Sequence, residues 1–325
     1  MKVRMERRRL RRRFRKPLET AGATWRERES LVIRLEEVDG RLGFGEVAPV
    51  SGFPGESLEE AEAYLSTWVP GAEVPAKASL CRAALSCARS DLWRKEYAWR
   101  AVETARLVDL QAFALGEGGE RHLPPGSVYK VKVGAREFAE EREEIAAFLK
   151  HLPKGGRVRL DANGGLNEGR AGDWLAWLSK EPMFEFLEQP LPASNQAGLA
   201  RLNERWGERL ALDESVVDVR EARRWMERGW RGSFVMKPSL CGDLRELEGF
   251  LADAPHRCVV SAAFESPFGF EANLRLAAET ETVAGLGVLD WFEEDALALH
   301  QVSEAGVLHP GEVTLERLEA LWKTL

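Results

Sequence analysis

Lys130, Lys132, Asp161, Glu188, Asp213 and Lys237 follow one another along the chain, each at or near the C-terminal end of a short apolar run. The runs are Val128-Tyr-Lys-Val-Lys-Val133, Val158-Arg-Leu-Asp161, Phe184-Glu-Phe-Leu-Glu188, Leu210-Ala-Leu-Asp213 and Phe234-Val-Met-Lys237. A lone carboxylate after a strand is usually a helix cap or the partner of a surface arginine, but three at successive strand ends suit a shared task. Brought together, they would repel one another unless a cation sat among them. Oxygen donors without His or Cys favour Mg2+, with Mn2+ as a substitute, and leave coordination positions for a substrate carboxylate.

The lysines complete this chemistry. Alternation along a strand puts Lys130 and Lys132 on one face. A lysine ordinarily titrates near 10.4, so serving as a base near neutrality needs a change worth roughly 4 kcal/mol. A second ammonium, a metal ion and partial desolvation all act in that direction. Lys132 is therefore the candidate base for a proton beside a carboxylate, and an opposing lysine would stabilise the resulting enolate.

What could bring these residues together is the spacing of the runs. Apolar β phrases recur at intervals of roughly 25 residues from Val128 to Thr282, with amphipathic segments between them. Strands alternating with helices predict a parallel sheet. With residues 102–108 there are about eight strands, which points to a (β/α) barrel with its chemistry at the C-terminal ends of the strands.

The first hundred residues have a different texture. Leu31-Val-Ile-Arg-Leu35 and Arg41-Leu-Gly-Phe-Gly-Glu-Val47, split by Asp39-Gly40, read as a hairpin. Ser57-Leu-Glu-Glu60 is a capping-box pattern that opens one helix, and a second spans residues 77–93. The region is an α+β module. Residues 1–16 carry ten Lys or Arg and one acidic residue, against a net charge of −7 for the chain. That run has the composition of a nucleic-acid arm, but Val3, Met5, Leu10 and Phe14 fit an edge strand whose remaining arginines are solvated. The expectation is a strand and no nucleic-acid partner.

Cys81, Cys87, Cys241 and Cys258 have neither CxxC nor zinc spacing, as expected of reduced, buried thiols in a cytoplasmic protein. No run is long and apolar enough for a membrane span. His122, His151, His256, His300 and His309 do not stand at strand ends beside carboxylates, so a histidine base is not expected.

Lys130-x-Lys132, Asp161-x-Asn163, Glu188-Gln-Pro190, Asp213-Glu-Ser215 and Lys237-Pro238 resemble the signature of the enolase superfamily, in its muconate-lactonising subgroup. A Lys base beside Mg2+ is a general pattern there. Gly43-Phe-Gly-Glu-Val-Ala-Pro49, Gly52-Phe-Pro-Gly-Glu-Ser57, Pro17-Leu-Glu-Thr20, Trp25-Arg-x-Arg-Glu29, Arg159-x-Asp161 and Ser261 before Phe264-Glu-Ser266 are similar to segments of the o-succinylbenzoate synthase family. The resemblance implies a modified barrel of the (β/α)7β type over residues 99–290. It also implies an α+β capping domain over residues 1–98, onto which residues 291–325 pack.

The implied reaction is syn dehydration of 2-succinyl-6-hydroxy-2,4-cyclohexadiene-1-carboxylate, a small-molecule carboxylate, on the way to menaquinone or phylloquinone. The implied metal ligands are Asp161, Glu188 and Asp213. Lys132 is the base, Lys237 the opposing cation and Lys130 the neighbour that tunes the base. Asn163, Arg159, Ser261, Gly285 and Glu214 are the further substrate-side candidates, and loops 17–28 and 50–57 would close over the substrate. Dipeptide epimerases of this group carry Asp-x-Asp on the last strand, where this chain has Gly285-Leu-Gly287. N-succinylamino acid racemisation shares the lysine pair and stays open, as does a non-catalytic binding protein built on the same fold.

Overall fold

The computed structural model describes residues 3–19, 24–94, 99–115, 123–293 and 295–325. Thr20, His122, residue 98 at the expected domain boundary and residues 20–23 of the expected lid lie outside the described residues.

Strands β1 (Arg4–Glu19), β2 (Thr24–Glu36) and β3 (Leu42–Val47) form an antiparallel sheet in that order. The hairpin expected around Asp39-Gly40 is β2–β3, with Leu31 opposite Val47. Helix α1 (Leu58–Thr67) begins with the predicted capping box, in which Ser57 and Glu60 satisfy each other's backbone N–H groups. Helix α2 (Ser79–Arg89) lies against β3 so closely that a Cβ on Gly45 would stand 1.9 Å from the Ala84 carbonyl oxygen, and one on Gly43 2.1 Å from that of Ala88. The glycines thus admit α2 on one face of β3, while Phe44 and Glu46, on the other face, reach the barrel.

β1 is the expected edge strand, with Leu10 and Phe14 buried, but its arginines are not all solvated. Arg12, 5% exposed, pairs with Asp295 at 3.1 Å and stacks 4.0 Å from the Phe292 ring, and Arg8 lies over Trp322. The same alternation that buries Leu10 and Phe14 buries Arg12 and half-buries Arg8, and the C-terminal segment receives them. On the outer face Arg9, Arg11 and Arg13 pair with Glu27, Glu29 and Glu59. That glutamate lining offsets the charge a polyanion would need.

The barrel strands are β4 (Val102–Val108), β5 (Val128–Lys132), β6 (Arg157–Asp161), β7 (Phe184–Glu188), β8 (Leu210–Leu212), β9 (Ser233–Met236), β10 (Cys258–Val260) and β11 (Ala284–Gly287). They pair in parallel, and a Ser261–Gly285 bridge joins β10 to β11 and closes the ring. Between them run α3 (Leu110–Leu115), α4 (Phe138–Leu149), α5 (Glu168–Leu178), α6 (Gln196–Trp206), α7 (Val219–Glu227), α8 (Leu244–Asp253) and α9 (Pro267–Ala277). Among the described residues this is the expected (β/α)7β arrangement, and every predicted strand phrase falls in a strand. Phe186, Ala211, Val235 and Val259 fill the barrel interior as one buried apolar cluster.

β12 (Val307–Leu308) pairs antiparallel with β4, and α10 (Leu315–Thr324) rests on the first sheet through Glu319–Arg34 at 2.8 Å and the aromatic contacts of Trp322 with Phe44 and Phe268. Every residue of α9 is buried, because sheet and tail cover its outer side. The four cysteines are unpaired and buried. None of the described helices is long and apolar enough to cross a membrane.

The tight β3–α2 contact predicts that Gly45→Ala lowers stability by about 1–3 kcal/mol through overpacking. Gly249→Ala in α8, where a Cβ meets nothing within 4 Å, should raise it by about 0.5–1 kcal/mol. Denaturant midpoints of the two variants check this, and an unchanged Gly45→Ala midpoint would contradict the contact.

Candidate active site

Register brings the charged residues to one level. Lys132 stands opposite Asp161 in the β5–β6 pair, and Asp161 opposite Glu188 in the β6–β7 pair. Glu188 pairs with Ala211, so Asp213, two residues further on, continues the row. The three carboxylates are buried: Asp161 is 1% exposed, Glu188 2% and Asp213 5%. Buried charges need partners, and the lysines provide them. Lys130 donates to Glu188 at 2.8 Å and lies 2.9 Å from Asp161, Lys132 donates to Asp161 at 2.7 Å and to the Asn163 side chain, and Lys237 donates to Asp213. Lys130 starts one interior layer lower than Lys132 and reaches up with its long side chain. Lys132 is at the mouth, half exposed.

The electrostatics follow from burial and neighbours. Burial would raise Asp161, but Lys130 and Lys132 outweigh it and hold Asp161 below the usual carboxylate range. Glu188 is pushed up to about 7 by burial and by Asp161 and Asp213 beside it. Asp213 is raised by burial despite Lys237. Burial would lower Lys130 and Lys237, yet the surrounding carboxylates keep both raised.

Gln189 holds the row in shape. Wholly buried with φ 34°, it accepts from the backbone N–H of Asp213 at 3.0 Å and of Ser215 at 3.1 Å, and donates to the Leu191 carbonyl and the Ser215 hydroxyl. Asn163, with φ 41°, accepts from Lys132 and donates to Glu214 at 3.0 Å. Phe264, with φ 60°, is the third non-glycine residue in the left-handed region among those described. All three line one cavity of roughly 400 Å3, and such conformations cost about 1–3 kcal/mol and gather at functional sites.

Lys130, Lys132, Asp161, Asn163, Asp213, Glu214, Lys237, Ser261 and Gly285 all line this cavity, and Glu188 lies beneath it. Arg159 does not. It belongs to the same interior file as Asp161 but two residues earlier, level with Lys130, and where Lys130 reaches up Arg159 turns to the opposite end of the barrel, bonded to Glu185 at 2.5 Å and stacked 4.8 Å from Phe186. Its place among the substrate-side residues is corrected accordingly. His300, not expected to act as a base, is buried against Glu271 at 3.0 Å in a structural pair.

Leu18, Trp25 and Val50, from the expected lid segments 17–28 and 50–57, line the cavity as well, and Leu107, Pro192 and Ala193 are walls that no motif named. Phe53, in the motif Gly52-Phe-Pro-Gly-Glu-Ser57 of loop 50–57, has its ring 4.6 Å from Lys237 Nζ.

The described residues contain no ready-made cage of three or more His, Cys, Asp or Glu side chains spaced for a metal; the carboxylates face ammonium groups. Even so, the donor set fits a hard divalent cation. Three buried carboxylates end adjacent strands, Glu188 stays raised by burial and by its carboxylate neighbours despite Lys130, and a buried Glu214 oxygen has no hydrogen-bond partner.

Comparison with known proteins agrees with this geometry. Residues 127–315 match the family described as enolase C-terminal domain-like, and residues 18–92 match the MenC N-terminal domain. The chain is 32% identical over 322 residues to the o-succinylbenzoate synthase of Thermosynechococcus vestitus, covering 95% of each. The crystal structure of o-succinylbenzoate synthase from Thermosynechococcus elongatus, complexed with Mg in the active site, superposes with a TM-score of 0.79 at 30% identity, over 99% of this chain and 100% of that one. The L-Ala-D/L-Glu epimerase of Bacillus subtilis shares the fold, with a TM-score of 0.78 at 20% identity over 95% of this chain and 97% of that one.

Gln189→Leu should orphan the N–H groups of Asp213 and Ser215, costing about 1–3 kcal/mol for each. A denaturation midpoint equal to that of the unaltered protein would show that Gln189 does not hold the row.

Proposed function

The chain belongs to the o-succinylbenzoate synthases of the enolase superfamily, metal-dependent hydro-lyases of menaquinone biosynthesis, and we propose how its residues divide the reaction. The observation that carries the assignment is the level row of Asp161, Glu188 and Asp213, with Lys132 at one side of the cavity and Lys237 at the other.

Lys132 takes the proton from the ring carbon that bears the carboxylate. It then returns that proton to the departing 6-hydroxyl on the same face, so that water leaves and the ring becomes aromatic. Its half-exposed ammonium sits at the cavity mouth, and Asn163 and Asp161 fix its direction. Lys237, half-buried beneath Phe53, is the opposing cation for the enolate. Lys130 stays charged between Asp161 and Glu188 and orients both carboxylates.

Asp161, Glu188 and Asp213 would hold Mg2+, or Mn2+ in its place, which when bound neutralises the substrate carboxylate as the α-proton leaves. Asn163 and Glu214 steady the Lys132 side of the site, and Ser261 with Gly285 borders the succinyl end. The apolar wall of Leu18, Trp25, Val50 and Phe53 suits the ring and the methylenes and excludes water. Residues 1–98 with 291–325 serve as the cap over a barrel of residues 99–290, and the ends of β1 and β2 within the expected segment 17–28, with loop 50–57, form its lid. The unpaired thiols suit the reducing cytoplasm.

Lys132→Ala should lower the dehydration rate by about 10²–10⁴-fold without loss of fold, because Lys130 still pairs with Asp161. Near-normal turnover in that variant would remove Lys132 as the base. Chelation should abolish activity and Mg2+ restore it, measured beside α-proton exchange of N-succinyl amino acids in deuterated water. Exchange at a rate similar to dehydration would add racemase activity to the assignment.

A further inference from the structure

Arg28, on β2, is buried at 7% exposure and does not itself line the cavity. Its Nε donates to the Ala263 carbonyl at 3.1 Å, and its Nη1 to the carbonyls of Pro49 at 2.6 Å and Glu29 at 3.3 Å. Its guanidinium carbon is 5.1 Å from the Trp25 ring centroid. Trp25, Val50 next to Pro49, and Ala263 with Phe264 are all cavity walls. One buried cation therefore joins three wall segments, two from the cap and one from the barrel.

The surroundings fix this cation firmly. Burial lowers Arg28, opposed by the charges of Glu265 and Glu46. Glu265 accepts from the Ser239 hydroxyl at 2.6 Å and the Ala263 N–H at 2.7 Å. Glu46, on β3, accepts from the Ser266 N–H at 2.9 Å, the Ser266 hydroxyl at 2.6 Å and the Gly269 N–H at 3.0 Å. It thus caps α9 from the other sheet, where Ser266 makes no side-chain cap of its own. The fit is close, since a Cβ on Gly269 would lie 2.7 Å from Glu46 Oε2. Arg28 Nη2 has no hydrogen-bond partner. Stability alone is poorly served by a buried, incompletely bonded guanidinium, whereas a planar fork that reaches carbonyls on separate segments serves geometry.

We propose that Arg28, braced by Glu46 and Glu265, is a positioning residue: it fixes Trp25, the loop that starts at Pro49 and the Ala263–Phe264 turn relative to one another, and so sets substrate affinity without touching the reacting atoms. The left-handed Phe264 follows the carbonyl that Arg28 holds, so the same contact keeps that conformation in place. This inference rests on the active-site assignment above.

Steady-state kinetics of Arg28→Lys, Arg28→Met and Glu46→Gln, each checked for folding by circular dichroism and melting, test it. Lysine keeps the charge but cannot reach both carbonyls as a fork does. Both Arg28 variants should raise KM about tenfold or more, with kcat within about threefold of the parent. Arg28→Lys should be the milder, and Glu46→Gln should move KM in the same direction. Folded Arg28 variants with parental KM, or losses confined to melting temperature, would overturn the proposal.

Hydrogen exchange on the unaltered protein decides the matter should those variants fail to fold. Segments 49–53 and 261–266 opening together supports the proposal, and independent opening overturns it. An unaltered protein without synthase activity would defeat the catalytic assignment instead, and hydrogen exchange would still judge the role of Arg28.

Discussion

The structure depends on keeping three carboxylates at the ends of neighbouring strands, out of water and within reach of one another. Desolvation and mutual repulsion both oppose this arrangement, and Glu188 registers them by being pushed up to about 7. The offset comes from lysines at three depths: Lys130 between Asp161 and Glu188, Lys132 at the mouth and Lys237 against Asp213. The layer beneath is apolar from β7 to β10, with Phe186, Ala211, Val235 and Val259 closely packed. That layer fixes the height of those strand ends, since close-packed interiors resist sliding. Gln189 then ties the β7 end to the β8 end through the backbone rather than through charge.

A barrel mouth alone would leave this cluster open to solvent, and the first sheet covers it. The sheet can do so because β3 differs on its two faces. Gly43 and Gly45 let α2 lie against the backbone, while Phe44 and Glu46 on the other face meet Phe268 and the start of α9. The tail adds Trp322 and Glu319 to the same junction. Cap and barrel thus share a buried interface of aromatics and matched polar groups, and the cavity lies at its edge.

Much of this was legible in the sequence, for physical reasons. Alternation on β5 aligned the two lysines, and the recurrence of apolar runs set the strand count. A carboxylate at the end of a run was bound to emerge at the barrel mouth. Arg159 was not legible, because alternation gives the face of a long side chain but not which way along the barrel it turns. Lys130, level with it, reaches up to Asp161 and Glu188, whereas Arg159 turns to Glu185 at the other end. The inward arginines of β1 were hidden because their partners Asp295, Phe292 and Trp322 lie about three hundred residues away. Gln189 and Phe264 carry no pattern that announces a positive φ, and only tertiary contacts impose it.

The last strand shows how closing the barrel and shaping the cavity constrain each other. A Cβ at Gly287 would lie 2.2 Å from the Ala105 carbonyl oxygen, and one at Gly285 2.7 Å from the Ser261 hydroxyl. The first obstacle is backbone, so a side chain at 287 would have to push β11 away from β4. The second is the residue that bridges β10 to β11 and completes the ring. An acidic pair at these positions, of the kind that would hold a substrate ammonium, therefore conflicts with this barrel's closure. Two glycines instead leave that part of the wall free of charge and of side-chain volume. The space beside Ser261 and Val288 thus carries no acidic side chain, as a succinyl chain ending in a carboxylate would need. The same close backbone approach that joins the first barrel strand to the last therefore keeps acidic side chains out of this wall.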